Sequence, residues 1–77
     1  MKITVKFFAS LREQTGLSDY LLDSDHPLTV QQVWQQATNN ADMPENTLSA
    51  IDMEYVDAST MITDNAEVAF FPPVTGG

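Results

Sequence analysis

The chain has 77 residues, of which 43% are hydrophobic, and a formal net charge of −8 at pH 7. A chain of this length predicts a single small domain, and its three basic residues (Lys2, Lys6 and Arg12) are too few for the basic face that nucleic-acid binding requires. The sequence contains no cysteine and no apolar stretch near the roughly 20 residues of a membrane span, so we expect a cytoplasmic domain without disulfides, thiolate chemistry or membrane insertion.

The first part of the chain predicts a β-hairpin that contains a short helix. The segment KITVKFF alternates, with Ile3, Val5 and Phe7 on one face, which is the period of a strand. The following SLREQTG has a capping-box pattern that begins at Ser10, and it predicts one or two helical turns that end at Gly16. The segment DYLLD then predicts a second strand paired with the first.

The main helix is predicted to begin after Thr29. Thr29 is a favourable N-cap, and Gln32 completes a capping box three residues later. Asn39 and Asn40 tolerate the left-handed conformation that often ends a helix. The apolar stripe that faces the sheet consists of Val30, Val33, Trp34 and Ala37. As the largest member of this stripe, Trp34 is predicted to be a core residue rather than a ligand-stacking one.

The second half predicts a loop followed by short strands. NNADMPENTLS is expected to be a loop with a short helical turn after Pro44, and AIDMEYVD to be two short strands joined by a tight turn. The segment TMITDNAEVAFF supplies a turn at 64–65 and a last strand with Val68 and Phe70 on one face. We predict that this strand lies parallel to the first, which gives an α+β domain with one main helix across a mixed sheet of four to five strands.

Catalytic side chains are nearly absent from the sequence. His26 is the only histidine and precedes a proline in a predicted turn, so it is interpreted as a surface residue. The carboxylate pairs at 23/25 and 52/54 have no predicted pocket that would raise a pKa, and they are interpreted as solvated charges. We therefore expect neither a metal site nor a bound cofactor.

The segment FFPPVTGG predicts a rigid exit from the last strand and a slender arm. Pro72 and Pro73 lack the N–H groups that a sheet needs, so the strand is expected to end at Phe71. This divides the chain into a domain over residues 1–71 and a flexible tail over 72–77. A slender tail could enter a narrow tunnel in another protein and present a terminal carboxylate there; the alternative is a frayed end without a role. The tail beyond the prolines consists of Val74, Thr75, Gly76 and Gly77.

Two adjacent aromatic pairs predict an exposed apolar patch. If Phe7 and Phe70 face the core, alternation sends Phe8 and Phe71 outward, where neighbouring strands would bring them together. Tyr55 joins this patch if the turn near Met53 falls where it makes Tyr55 face outward as well. Exposed aromatic patches are typical of protein interfaces, although a covering loop is the alternative.

The segments KFFASLRE and DNAEVAFFPPVTGG give the chain a family resemblance. Together with the element order and the C-terminal Gly-Gly, they resemble the ubiquitin-like β-grasp family and, more narrowly, the small sulfur-carrier subunits of molybdopterin synthases. The match covers essentially the whole chain. The family commonly has Val-Asn where this chain has Ile51 and Asp52, a departure that affects a turn and leaves the tail unchanged.

The resemblance implies a mechanism in which Gly77 carries sulfur and Gly76 is its thin spacer. A ubiquitin-activating-type adenylyltransferase would use ATP to adenylate Gly77, and a persulfide donor would convert it to a thiocarboxylate. The large subunit would then receive this sulfur for cyclic pyranopterin monophosphate, within a heterotetramer of two small and two large subunits. The docking surface would comprise Phe8, Phe71, Tyr55 and, at its rim, Arg12.

Three alternatives remain open at this stage. A sulfur carrier for thiamine synthesis or tRNA thiolation shares the fold and the activation chemistry but uses another acceptor. A ubiquitin-like modifier would conjugate its tail to lysines. A plain binding module would have an inert tail.

Overall fold

The computed structural model describes residues 1–73, which contain two helices and seven strands. Neither helix in this part of the chain has the length and apolar character that crossing a bilayer requires. The elements in chain order are β1 (Lys2–Phe7), α1 (Ser10–Thr15), β2 (Asp19–Asp23), β3 (Leu28–Thr29), α2 (Val30–Ala37), β4 (Leu48–Ile51), β5 (Glu54–Val56), β6 (Met61–Ile62) and β7 (Ala66–Phe71).

Five of the strands form one mixed sheet in the order β2-β1-β7-β4-β5. β1 pairs antiparallel with β2 and parallel with β7, with Val5 opposite Val68 in the second register. β4 pairs antiparallel with β7 and with β5. The parallel pairing is possible because α2 lies in the crossover between the two halves of the chain. The predicted α+β, ubiquitin-like β-grasp architecture and the parallel first and last strands are confirmed.

The core lies between one face of this sheet and α2. Phe7, Trp34 and Phe70 are each at most 2% exposed. The Trp34 ring meets the other two edge-on, with ring centroids 5.6 Å from Phe7 and 5.1 Å from Phe70. Its Nε1 donates to the backbone oxygen of Ala41 at 2.8 Å, so its one polar atom is satisfied. Trp34 is therefore a core residue, as predicted.

The N-terminus of α2 is held by side-chain and loop hydrogen bonds. The predicted capping box is present: Gln32 N–H donates to Thr29 Oγ1 at 3.1 Å, and Thr29 N–H donates to Gln32 Oε1 at 2.8 Å. The N–H groups of Val30 and Gln31 donate to carbonyl oxygens of the loop at 58–60. Backbone donors at the start of a helix have no partner within it, so these contacts fix both the helix end and the loop.

Both helices end in left-handed residues. Gly16 has φ 73°, and its N–H donates to the carbonyl of Arg12 at 3.0 Å. Asn39 and Asn40 have φ 57° and 65° just after α2, and the second of them donates to the carbonyl of Gln35. These residues tolerate positive φ at low cost, which is why they end the helices where the sequence predicted.

The predicted capping box of α1 is wrong. Ser10 is the first residue of the helix, and Ala9 occupies the N-cap position without any side-chain cap bond. A serine within the first helical turn, unlike one at the N-cap, does not direct its hydroxyl at the unpaired backbone N–H groups of that turn. Leu11, the buried residue of α1, packs into the core, so the helix is held by this apolar contact rather than by a cap.

Two short features of the second half also differ from expectation. The segment after Pro44 is a reverse turn rather than a helical one, because Asn46 adopts φ 63° and the Thr47 N–H donates to the Pro44 carbonyl. β4 begins at Leu48, inside the segment predicted to be loop. β3 and β6 form a second, two-stranded antiparallel sheet that periodicity did not predict.

Candidate functional site

The sheet has an outer face that α2 does not cover. On β7, Val68 and Phe70 are fully buried in the core, so the alternating residues Ala69 and Phe71 face outward. Across the next strand, Ala50 is the register partner of Ala69. The outer face is therefore built from residues on either side of β7, the strand that leads to the tail.

Three aromatic side chains gather on this face. Phe8 and Phe71 stack with ring centroids 4.7 Å apart and an angle of 9° between their planes. Tyr55 lies 6.1 Å from Phe71, centroid to centroid. Phe8 is 40% exposed and Tyr55 71% exposed. The structure thus brings together three of the four residues predicted to form a docking surface, and their binding role stays a prediction.

A shallow groove with a volume of about 320 Å³ lies beside these rings. Its floor is formed by Ala50 and Ala69, which are 4% and 8% exposed and lie between larger lining residues. Small side chains here leave space that larger ones would fill. We call this the outer groove, and it is lined by Phe8, Ala50, Met53, Tyr55, Glu67, Ala69 and Phe71.

The turn between β4 and β5 forms one end of the outer groove. Asp52 and Met53 have φ 48° and 74°, the pattern of a type I′ hairpin turn, for which Asn-Gly is the preferred pair. The Asp52 N–H donates to the Glu67 carbonyl at 2.8 Å, and the Glu67 N–H donates to Asp52 Oδ1 at 3.0 Å. These two bonds tie the turn to β7. The predicted tight turn is confirmed, and aspartate retains an acceptor oxygen where the family commonly has asparagine.

Met53 lines the outer groove and was not identified from the sequence. Its side chain is 91% exposed, although it is large and apolar. A left-handed conformation costs a residue with a Cβ roughly 1–2 kcal/mol. The available signal was a bulky residue at the second central position of a predicted tight turn, where glycine is usual.

Ala9 is a second strained residue beside the outer groove. It has φ 53° and ψ −129° and directly follows Phe8. Six non-glycine residues have positive φ in residues 1–73, and only Ala9 and Met53 are neither asparagine nor aspartate. Backbone strain of this kind is concentrated at functional sites in proteins. Here both cases flank the same surface.

Acidic groups outnumber basic ones at the wall and the turn end of the outer groove. The Glu67 carboxylate lies in its wall, 4.0 Å from Lys6 Nζ, in a pair whose side chains are 47% and 38% exposed. Such exposed pairs contribute at most about 1 kcal/mol. Asp52 and Glu54 are exposed at the turn end of the groove. An apolar floor within an acidic rim complements a partner surface with an apolar centre and basic surroundings.

A model of the ThiS family matches residues 5–77. The chain belongs to the ThiS family. It is 37% identical to the molybdopterin synthase sulfur carrier subunit of Escherichia coli strain K12, over 97% of this chain and 99% of that protein. The two proteins therefore correspond over nearly their entire lengths.

Solved structures share the fold of this ThiS-family chain. The crystal structure of small archaeal modifier protein 1 from Haloferax volcanii has a TM-score of 0.77 at 22% identity and covers both chains completely. The solution structure of small archaeal modifier protein 1 from Methanosarcina acetivorans has a TM-score of 0.72 at 21% identity, covering 99% of this chain and 96% of that one. At these identities the likeness shows the β-grasp fold alone.

Among residues 1–73, the titratable groups away from the outer groove form no comparable site. His26 is exposed, as predicted, and its Nδ1 lies 2.8 Å from the Asp25 carboxylate. The hydrogen bond from His26 lowers the pKa of Asp25 below its ordinary value. Within residues 1–73, no three histidine or acidic residues are grouped so that they could hold a metal ion.

The remaining predicted residues lie apart from the groove or outside the described residues. Arg12 is exposed on α1 and is absent from the lining of the outer groove, so its predicted contact at the rim stays a prediction. The last strand ends at Phe71, as predicted, and Pro72 and Pro73 follow it. The predictions for the tail lie outside the residues that the structure describes; they concern Val74, Thr75, Gly76 and Gly77.

Proposed function

We propose that this chain is the sulfur-carrier subunit of a molybdopterin synthase and that Gly77 carries the sulfur. The observation that supports this most strongly is the 37% identity to the Escherichia coli sulfur carrier subunit over nearly the full length of both proteins. The family match extends to residue 77 and so includes the Gly-Gly motif. The outer groove is consistent with docking, since it lies beside the strand that leads to this motif.

The chemistry takes place at the carboxylate of Gly77. A free carboxylate is a poor acyl donor, so an adenylyltransferase of the ubiquitin-activating type joins it to AMP from ATP and releases pyrophosphate. The terminal sulfur of a persulfide attacks the adenylated carbonyl carbon of Gly77, forms a new C–S bond and displaces AMP. A thiol then cleaves the S–S bond carried over from the persulfide, which leaves a thiocarboxylate on Gly77 and a disulfide on the donor. In the large subunit, two such carriers each give one sulfur to cyclic pyranopterin monophosphate to build the dithiolene, and water returns each Gly77 to a carboxylate.

In this scheme the chain positions its tail and binds partners, and catalysis belongs to the partner enzymes. Phe8, Phe71 and Tyr55 provide the docking surface for the adenylyltransferase and the large subunit in turn, and Arg12 contributes at the rim. Gly76 keeps the end of the tail narrow, and residues 74–75 give the tail the length it needs to extend into a partner. The chain binds no cofactor, and ATP is bound by the activating enzyme. The working complex is a cytoplasmic heterotetramer of two small and two large subunits.

The experiment is co-expression with the activating enzyme and a persulfide source, followed by intact-mass spectrometry. We expect a mass gain equal to one oxygen-to-sulfur exchange in the wild-type chain and none in a variant that lacks Gly77. The thiocarboxylated protein should then form molybdopterin when mixed with large subunit and cyclic pyranopterin monophosphate.

Each alternative has its own outcome in this experiment. Absence of the mass gain, under conditions that activate a control carrier, contradicts the proposal. A thiocarboxylate that supports only thiamine synthesis or tRNA thiolation assigns the chain to another acceptor. Lysine-linked conjugates on immunoblots indicate a protein modifier, because the fold itself is shared with modifiers.

A further inference from the structure

We propose that Met53 is a preorganised anchor that determines which partner surface the outer groove accepts. The occupant is a surface of the large subunit that places one apolar side chain over Ala50 and Ala69 and surrounds it with lysine or arginine. This inference rests on the proposed function and adds to it a specificity-determining residue.

Met53 combines high exposure with backbone strain. A single exposed apolar side chain is ordinary on a protein surface. Met53 differs because it is 91% exposed and is also held at φ 74°, where a glycine would be free of strain. At 91% exposure the Met53 side chain buries little surface in the free domain, so its packing adds little to the fold. A role in a complex explains why the strained residue is present.

The backbone conformation of Met53 is set before any partner binds. The paired hydrogen bonds between Asp52 and Glu67, at 2.8 and 3.0 Å, hold the turn against β7. The backbone at Met53 therefore loses little freedom on docking. Its unbranched thioether side chain can still adjust to the shape of the opposing group.

The occupant follows from the shape and charge of the outer groove. Its floor of Ala50 and Ala69 and its volume of about 320 Å³ leave room for an apolar side chain between Met53 and the aromatic rings. Glu67 lies in the wall and is paired with Lys6, whereas Asp52 and Glu54 are exposed at the turn end, and the net charge of the chain is −8. An opposing surface with basic residues around an apolar centre complements both properties. β7 forms part of the outer groove and leads to the tail, so one partner can bind the groove and also receive the tail.

The test compares Met53→Ala, Met53→Gly and a control, Met61→Ala, with wild-type chain in binding to the large subunit of molybdopterin synthase. Met61 is a suitable control because it is 54% exposed on β6 and does not line the outer groove. Affinity and dissociation rate are measured by calorimetry and by a surface-binding assay, and melting temperature by circular dichroism.

Both Met53 variants should bind about tenfold more weakly, mainly through faster dissociation. Met61→Ala should bind like the wild-type chain. Met53→Gly should melt about 3–5 °C higher than Met53→Ala, because only glycine relieves the left-handed strain. If Met53→Gly binds weakly although it is more stable than Met53→Ala, the weak binding results from the loss of the anchor and not from a loss of folding.

Three results overturn the inference, and they are distinguishable. If wild-type chain binds the large subunit and Met53→Gly binds equally well, Met53 is not an anchor, and the proposed function stands. If wild-type chain itself does not bind the large subunit, the proposed function fails together with the inference. A Met61→Ala variant that binds as weakly as the Met53 variants would also contradict a role specific to the outer groove.

Discussion

Asp52 connects the β4–β5 turn to β7 through its backbone N–H and its carboxylate. We predict that Asp52→Ala lowers the free energy of unfolding by about 1–2 kcal/mol, since it removes an acceptor and leaves a Cβ residue less tolerant of φ 48°. Asp52→Asn keeps an acceptor oxygen and tolerates this φ, so its stability should stay within about 0.5 kcal/mol of the wild-type value. Urea unfolding measures both changes, and equal losses in the two variants would contradict this role.

Asp25 gives a second prediction at this scale. The hydrogen bond and charge of His26 lower its pKa in the folded protein, so their contribution to stability is present above the ordinary pKa of 3.8 and is lost as pH falls through the lower folded value. In His26→Ala, the pKa of Asp25 should rise toward 3.8. NMR titration of the Asp25 carboxyl group measures this, and an unchanged titration curve would show that His26 is not the cause.

Single residues of the site differ in how far the sequence predicted them. Phe8 and Phe71 were predicted to face outward because alternation in a strand is local and each has a buried neighbour. Met53 was missed because its importance depends on a φ of 74° and on its place at the groove, neither of which periodicity encodes. The sequence placed it in a tight turn, and its only signal was a bulky residue where such a turn usually has glycine.

At the level of elements, the two helices begin in physically different ways. α2 has a complete capping box at Thr29, whereas α1 begins after Ala9 without a side-chain cap. We predict that Thr29→Ala lowers the free energy of unfolding by about 1 kcal/mol and that Ser10→Ala changes it by less than about 0.5 kcal/mol. Chemical denaturation of the two variants provides the comparison. A loss for Ser10→Ala as large as that for Thr29→Ala would restore the capping box predicted for α1.

The elements that the sequence failed to predict depend on distant contacts. The capping-box pattern at Ser10 has the right residue types, but the backbone of Ala9 enters the helix at φ 53° and places Ser10 inside it. β3 and β6 contain two residues each, too few for a period to appear, and they exist as strands only because they pair with each other. By contrast, α2 combines a cap and an apolar stripe, and both were predicted correctly.

For the whole molecule, the outer face is predicted to be the docking surface. Phe8→Asp should weaken binding to the large subunit about tenfold or more, because it places a charge against the stacked ring of Phe71. Leu21→Asp is a charge-matched control on the same face, at a residue 68% exposed on β2 and outside the outer groove. It should leave binding nearly unchanged.

The readout is affinity by calorimetry, with circular dichroism melting to confirm that each variant is folded. Equal affinities for Phe8→Asp and Leu21→Asp would show that docking does not depend on the aromatic end of the face. A Phe8→Asp variant that does not fold would show that this ring is required for the domain itself. In that case it could not be assigned to the interface alone.

The sequence alone determined the five strands of the main sheet and the main helix, the apolar stripe centred on Trp34, the outward direction of Phe8 and Phe71, and the family. These properties follow from local periodicity, capping residues and a continuous motif, all of which are contained in short stretches of chain. Only the tertiary structure decided that Ala50 and Ala69 form a groove floor and that Met53 stands at its end. The physical reason is that this groove depends on the pairing of the β4–β5 hairpin with β7 and on the stacking of Phe8 against Phe71, which join segments separated in sequence. It also depends on a turn held by hydrogen bonds to β7.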